Sequence, residues 1–309
     1  MIKLKSEAEG IFSFRLGTFD ASGNEVDCYD PVPPTRNLIT NGGLERMAEN
    51  ADWLSYTYVG SGSAAPDFDD SAMNDLVAST ASLQASTNGA QATAPYFTWV
   101  RITRRFAPAE ATGNLSEVGV GWFDGLFSHA LIVDADGNPT TITVGAEQFL
   151  DVTYEFRFYP KTTDDTGSFT LTGSLGGTYD YVYRAANVTQ SNSVTGWEVD
   201  INGNDMGSFA PNPNGKQVLA GPIGPITSGP SGEFSIADSL TAVAYEASSL
   251  SRKATMALGL DVGNFDTGIK SALFKGGIGT FQVEFDPAIM KTDQRLLNLE
   301  FSHSWGRRA

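Results

Sequence analysis

The chain has 309 residues, 41% of them hydrophobic and 11% aromatic, enough apolar material for two domains or one large β architecture and too much for a disordered chain. With 20 Lys and Arg against 36 Asp and Glu, the formal net charge is −16, which disfavours contact with a phosphate backbone and argues against a nucleic-acid partner. The single cysteine, Cys28, excludes an intrachain disulfide and a cysteine-rich metal site.

The opening "MIKLKSEAEG" lacks the apolar core of a signal peptide, and no run of roughly 18 apolar residues follows anywhere. Synthesis in the cytosol without membrane insertion is the expectation. Phe12, Phe14 and Leu16 then share one parity, the mark of a half-buried strand. "NGGLERMAENADWL", residues 41–54, sets Leu44, Met47, Ala51 and Leu54 at helical spacing behind a glycine-rich entrance. A second short helix is predicted through "DDSAMNDLVAST", residues 69–80, with Asp70 or Ser71 as its cap. The Ala- and Ser-rich tract 78–95 has little to bury and is expected to be an exposed loop or arm.

Farther along, "FLDVTYEFRFY" puts Leu150, Val152, Tyr154, Phe156 and Phe158 on one face and Asp151, Thr153, Glu155 and Arg157 on the other. The cluster "YPKTTDDTGS" stops that strand and suggests two β-rich parts, an N-terminal domain over 1–162 and a C-terminal sandwich over 163–309. A Pro/Gly-rich stretch, 210–232, is expected to be a long surface excursion. Alternation returns through Ala254, Met256, Leu258 and Leu260, through Phe281, Val283 and Phe285, and through Leu297, Leu299, Phe301 and Trp305. The fold class predicted is mainly β, built of antiparallel β-sandwich parts with one or two short helices near the N-terminal third.

Motifs for chemistry are few. Asp134, Asp136 and Asn138 begin like a calcium loop, but its sixth position is Pro139 and its twelfth Gly145. "DASGNE" and "DINGND" fail in the same way at Pro31 and Pro211, so all three read as tight turns built on Gly and Asn. Gly60, Gly62 and Ala65 have dinucleotide spacing without a following helix, and read as a turn. Asp67, Asp69 and Asp70 could form part of a glycosidase acid pair, but solvated loop charge and helix capping explain them more simply. His129 and His303 each lie in phase with apolar strand residues and are expected to be hydrogen-bonded in a core or an interface. Cys28 has no obvious electropositive helper in the sequence. No catalytic, cofactor or metal residue is assigned.

Several segments resemble the tail fibre and minor tail proteins of tailed bacteriophages. These are "NLITNGGLERM" (37–47), "VGSG" (59–62), "LSEVGVGW" (115–122), the run 126–160 and the run 279–307. The resemblance implies a β-rich virion component that is commonly oligomeric, built into the tail or baseplate beside other tail proteins. It implies no catalytic residue. Subunit interfaces would then supply persistence outside the cell, with a trimer favoured and Trp305, Arg307 and Arg308 as a candidate interface; the equal alternative is a Trp305 that closes its own core beside a frayed basic tail. Two rivals remain: a receptor-binding protein touching host glycan through loops 80–95 or 208–232, and a polysaccharide depolymerase using Asp67, Asp69 or Asp70.

Overall fold

Alternating side chains produce strands longer than the sequence patterns outlined, in a computed structural model that describes residues 1–209 and 212–308. Strand β1 (Ile2–Phe19) buries Ile2, Leu4, Ser6 and Ala8 on the same face as Phe12, Phe14 and Leu16. It sits inside a nine-stranded sheet whose main path runs β18 (Ser239–Ala242), β19 (Ser251–Leu258), β22 (Leu297–Arg307), β1, β13 (Phe149–Pro160), β8 (Thr98–Phe106) and β7 (Leu83–Ala90). Two short strands, β2 (Glu25–Tyr29) and β3 (Thr35–Arg36), also pair with β1. Every pairing in this sheet is antiparallel except β1 with β22, where Ile2 lies opposite Phe301 and Ala8 opposite Arg307.

The second sheet has five strands, in the order β4 (Leu38–Ile39), β11 (Gly125–Leu131), β10 (Glu117–Trp122), β5 (Tyr56–Gly60) and β6 (Leu76–Thr80). A third has six: β14 (Asp165–Leu171), β15 (Gly177–Ala185), β21 (Gly279–Ile289), β20 (Ile269–Gly276), β16 (Lys216–Leu219) and β17 (Phe234–Ile236). A ribbon of β9 (Gly113–Leu115) and β12 (Ile142–Val144) completes the pairing. The architecture is mainly β, of sandwich type.

Aromatic side chains hold the layers together. Phe156 of β13 meets Trp53, and Phe127 of β11 meets Trp53 at 4.6 Å between ring centroids, which joins the large sheet to the second one. Phe301 of β22 lies 4.0 Å from Phe274 of β20, and His303 lies 4.8 Å from Phe281 of β21, which joins the large sheet to the third. The outer face of β13 is charged but not free. Asp151 accepts from Arg15 and Arg105, while Glu155 accepts from Arg101 and Arg157.

Several expectations need correction. The boundary at 162/163 does not separate two self-contained bodies, because β22, β19 and β18 complete the sheet that β1 begins. Helix α1 spans only Asn41–Arg46; Leu44, Met47 and Leu54 are buried as predicted, but Ala51 is exposed beyond the helix end. The second helix is absent, since Leu76, Ala78, Ser79 and Thr80 pair with β5 and the β-branched Val77 and Thr80 suit a strand. Tract 78–95 is exposed but largely extended, contributing to β6 and forming β7. The 210–232 stretch is tied down where described: buried Gln282 accepts from Gly224 N at 2.8 Å and donates to Gly224 O at 3.0 Å. Ala210 and Pro211 lie outside the described residues. Leu260 is exposed, because β19 ends at Leu258.

Candidate functional site

The most concentrated polar feature forms where α1, β5, β10 and β11 meet. Thr40 caps α1 by accepting from Gly43 N at 2.8 Å, and its hydroxyl donates to Leu126 O of β11 at 2.6 Å. The helix must lie backbone to backbone on that strand. A side chain at Gly43 would place its Cβ 2.4 Å from Phe127 O, so glycine is required there.

Beside this contact, Glu117 of β10 is wholly buried. Its Oε1 accepts from Asp75 N at 2.7 Å and Gly62 N at 3.2 Å, and its Oε2 accepts from Asn74 N at 3.2 Å. Buried His129 of β11 fills the remaining side, with Nε2 2.9 Å from Glu117 Oε2 and Nδ1 2.7 Å from Asp70 Oδ2. A buried carboxyl group held by three amides and an imidazole nitrogen is compensated for its lost water. The two acids contact opposite nitrogens of the ring, so the three side chains do not converge on one point. No metal-holding cluster occurs among the described residues.

The glycines of "VGSG" now have a physical reason. A Cβ on Gly60 would sit 2.3 Å from Glu117 Oε1, and one on Gly62 would sit 2.6 Å from it. Their spacing makes room for a carboxylate. Asp69 accepts from Asn41 Nδ2 at 2.7 Å, and Asp67 accepts from Asp69 N at 2.9 Å. These acids order a loop and cap no helix. Glu117 escaped notice in the sequence, although a lone Glu in the apolar strand "LSEVGVGW" was a usable signal; its place opposite Gly60 is set by the pairing with β5.

The three residues expected at an interface are engaged within the chain. Trp305 is buried, 4% exposed, and its Nε1 donates to Leu44 O at 3.0 Å. Arg307 donates to Ile39 O and Asn41 Oδ1 and stacks 4.1 Å above the Phe68 ring; burial pushes its pKa down. Arg308 stacks 3.8 Å above Tyr159 and lies 3.9 Å from Glu7. Together these contacts fasten the end of β22 to α1, β4 and β1. Both arginines also line a 450 Å³ groove that holds Glu9, Asn37 and Phe68.

Elsewhere, His303 is a core histidine, 3.0 Å from Ser6 Oγ, and burial drives its pKa down to about 3. Lys275 is buried with Nζ donating to Gly196 O and Ile278 O, and burial lowers its pKa to about 8. The three acidic segments are tight turns, with Gly23, Gly137 and Gly203 at positive φ and Asp20 and Asp134 each accepting from amides of their own loop. Cys28 is exposed and does have a cationic neighbour, Arg15, whose Nη2 lies 3.0 Å from its sulfur. The β10–β11 hairpin presents Phe123, 79% exposed, beside Tyr56 at 5.9 Å. No helix among the described residues is long and apolar enough to cross a membrane.

Compared with known proteins, the chain matches no family model, no curated sequence and no solved structure.

Proposed function

We propose that the protein is a structural component of a bacteriophage tail, a tail-fibre or baseplate-associated minor tail protein that works by oligomeric assembly and not by catalysis. One observation supports this reading above others. The segments that resemble such proteins, though spread along the chain, contribute Thr40, Gly62, Glu117 and His129 to one hydrogen-bonded junction. A fifth, 279–307, sends Trp305 to Leu44 of the same helix. A resemblance that follows one three-dimensional unit is stronger than the same residues scattered through unrelated places. Both histidines and Glu117 are occupied with holding strands together, which suits a scaffold.

On this reading the partners are other tail or baseplate proteins and further copies of the chain, a trimer being favoured. The location is the virion tail. Extensive strand pairing then slows unfolding outside the cell, where persistence is a rate. The test is direct: particles should contain the chain by mass spectrometry, and labelled antibody should decorate the tail in electron micrographs. Particles that lack it would end the proposal.

A second reading, contact with host surface glycan, is favoured by the hairpin tip and not by loops 80–95 or 208–232. Exposed Phe123 offers a face for stacking on a sugar ring, with Asp124 and Ser71 lining the adjoining 210 Å³ hollow as hydrogen-bonding groups. Binding of the purified protein to host cells that survives Phe123→Ser would remove this second reading.

A further inference from the structure

Strands β6 and β7 belong to different sheets, yet only Ala81 and Ser82 separate them. Each is the outermost strand of its sheet. The ribbon from Leu76 to Thr87 therefore pairs on its inner side with β5, crosses the seam, and pairs onward with β8. On its outer side no segment among the described residues hydrogen-bonds to it, and the first contact comes from the Asn88 side chain, which reaches Glu198 and Val199 O at 3.4 Å. Within Leu76–Thr87 every residue is exposed except Ala78 and Thr80.

Open edges are hazards that soluble proteins normally blunt with charge, proline or a bulge aimed outward. This one is interrupted by a bulge at Val77 in β6 and another at Gln84 in β7, but it is unprotected by charge. Residues 76–100 contain no Asp, Glu, Lys or Arg, in a chain that is 18% charged, and the only proline, Pro95, lies past the ribbon. The ribbon also exposes Leu76, Val77 and Leu83.

The geometry points to this uncharged edge as the surface on which a second copy of the same chain adds its own strand. Charge selects that occupant. A molecule of net charge −16 repels its copies over most of its surface, and an uncharged strip is where two can approach closely. A cationic partner would gain nothing from such a strip. The side chains suit self-pairing, because Thr, Ser, Gln and Ala placed opposite their equivalents form cross-strand pairs without like charges facing. The surface stands independently of the virion reading and would serve an assembly of any kind.

The experiment is light scattering of the full chain and of the double variant Gln84→Lys, Ser86→Lys, with circular dichroism as the check on folding. The expected result is a multiple of the 32.9 kDa chain mass for the parent and a loss to one chain mass for the variant. A parent that is monomeric at every concentration overturns the inference, as does an oligomer that the two lysines leave intact. If the variant misfolds, amide hydrogen exchange on the parent decides. Protection within 76–87 that disappears on dilution supports pairing there, and exchange unchanged by dilution overturns it.

Discussion

Glu117 Oε2 and His129 Nε2 lie 2.9 Å apart, with both residues completely buried on adjacent antiparallel strands and set diagonally, Glu117 opposite Leu131 and His129 opposite Gly119. Neither side chain is exposed, so Glu117 depends on the ring and three backbone amides, and His129 on Glu117 and Asp70, for the hydrogen bonds each gave up. The pair also joins two chain segments to a third, because Asp70 takes the far side of the ring.

Glu117→Ala should therefore be among the most damaging substitutions in the protein. It strands a buried histidine and three amides, and removing one partner of a buried pair costs about 3–5 kcal/mol. Urea unfolding should show the loss. Asp70 is partly exposed, with a side chain 19% accessible, so Asp70→Ala should cost distinctly less. Equal losses would mean that the junction is not organised around Glu117.

Trp305→Ala should destabilise by about 3–5 kcal/mol, as expected for truncating a large buried aromatic. Arg308→Ala should cost under about 1 kcal/mol, since its partner Glu7 is solvent-exposed. Thermal melts of the two variants check the contrast. Comparable melting temperatures would show that Trp305 is not a core residue.

Acid stability should carry the signature of His303. Its folded pKa of about 3 lies below its ordinary value of 6.5, so the unfolded chain binds the proton first as pH falls. The neutral ring's contribution is complete above about 6.5, declines with acidification, and is gone below about 3, each unit being worth about 1.4 kcal/mol. His303→Gln should give a flatter profile of unfolding free energy across that window. An unchanged slope would contradict the burial that lowers this pKa.

Lys275 has the same sign at higher pH. Its folded pKa of about 8 lies below 10.5, so the folded state sheds its proton first as pH rises. Stability should increase with pH between those values, and Lys275→Met should remove that part of the slope in alkaline unfolding curves.

Phe123 offers the opposite kind of test. At 79% exposure, Phe123→Ser should shift stability by no more than about 0.5 kcal/mol in urea unfolding. A larger loss would show the hairpin tip packed against something.

Period-two burial was legible in sequence because it depends only on local geometry. Leu150, Val152, Tyr154, Phe156 and Phe158 are all buried on one face, as their alternation required. The 69–80 helix and the 162/163 boundary failed for a different reason. Both depend on what lies beside a segment, and Leu76 opposite Gly60 or Phe301 opposite Ile2 cannot be inferred from local pattern. The junction was half legible. His129 was expected to be hydrogen-bonded in a core or an interface, but its two carboxylates come from positions 12 and 59 residues away. Trp305 was open between an interface anchor and a residue closing its own core, and its indole closes on Leu44.

Residues 2–8 pair in parallel with residues 301–307, so a ribosome makes the first half of this contact roughly three hundred codons before the second. Until then residues 2–8 of β1 have nothing on that flank, where only β2 and β3 pair farther along the strand, and the nascent chain must carry an unfinished sheet through nearly its whole synthesis. Long-range pairing of this kind is slow to close. The expected consequence is a late, cooperative folding step, with premature termination products left sticky and readily cleared by proteases.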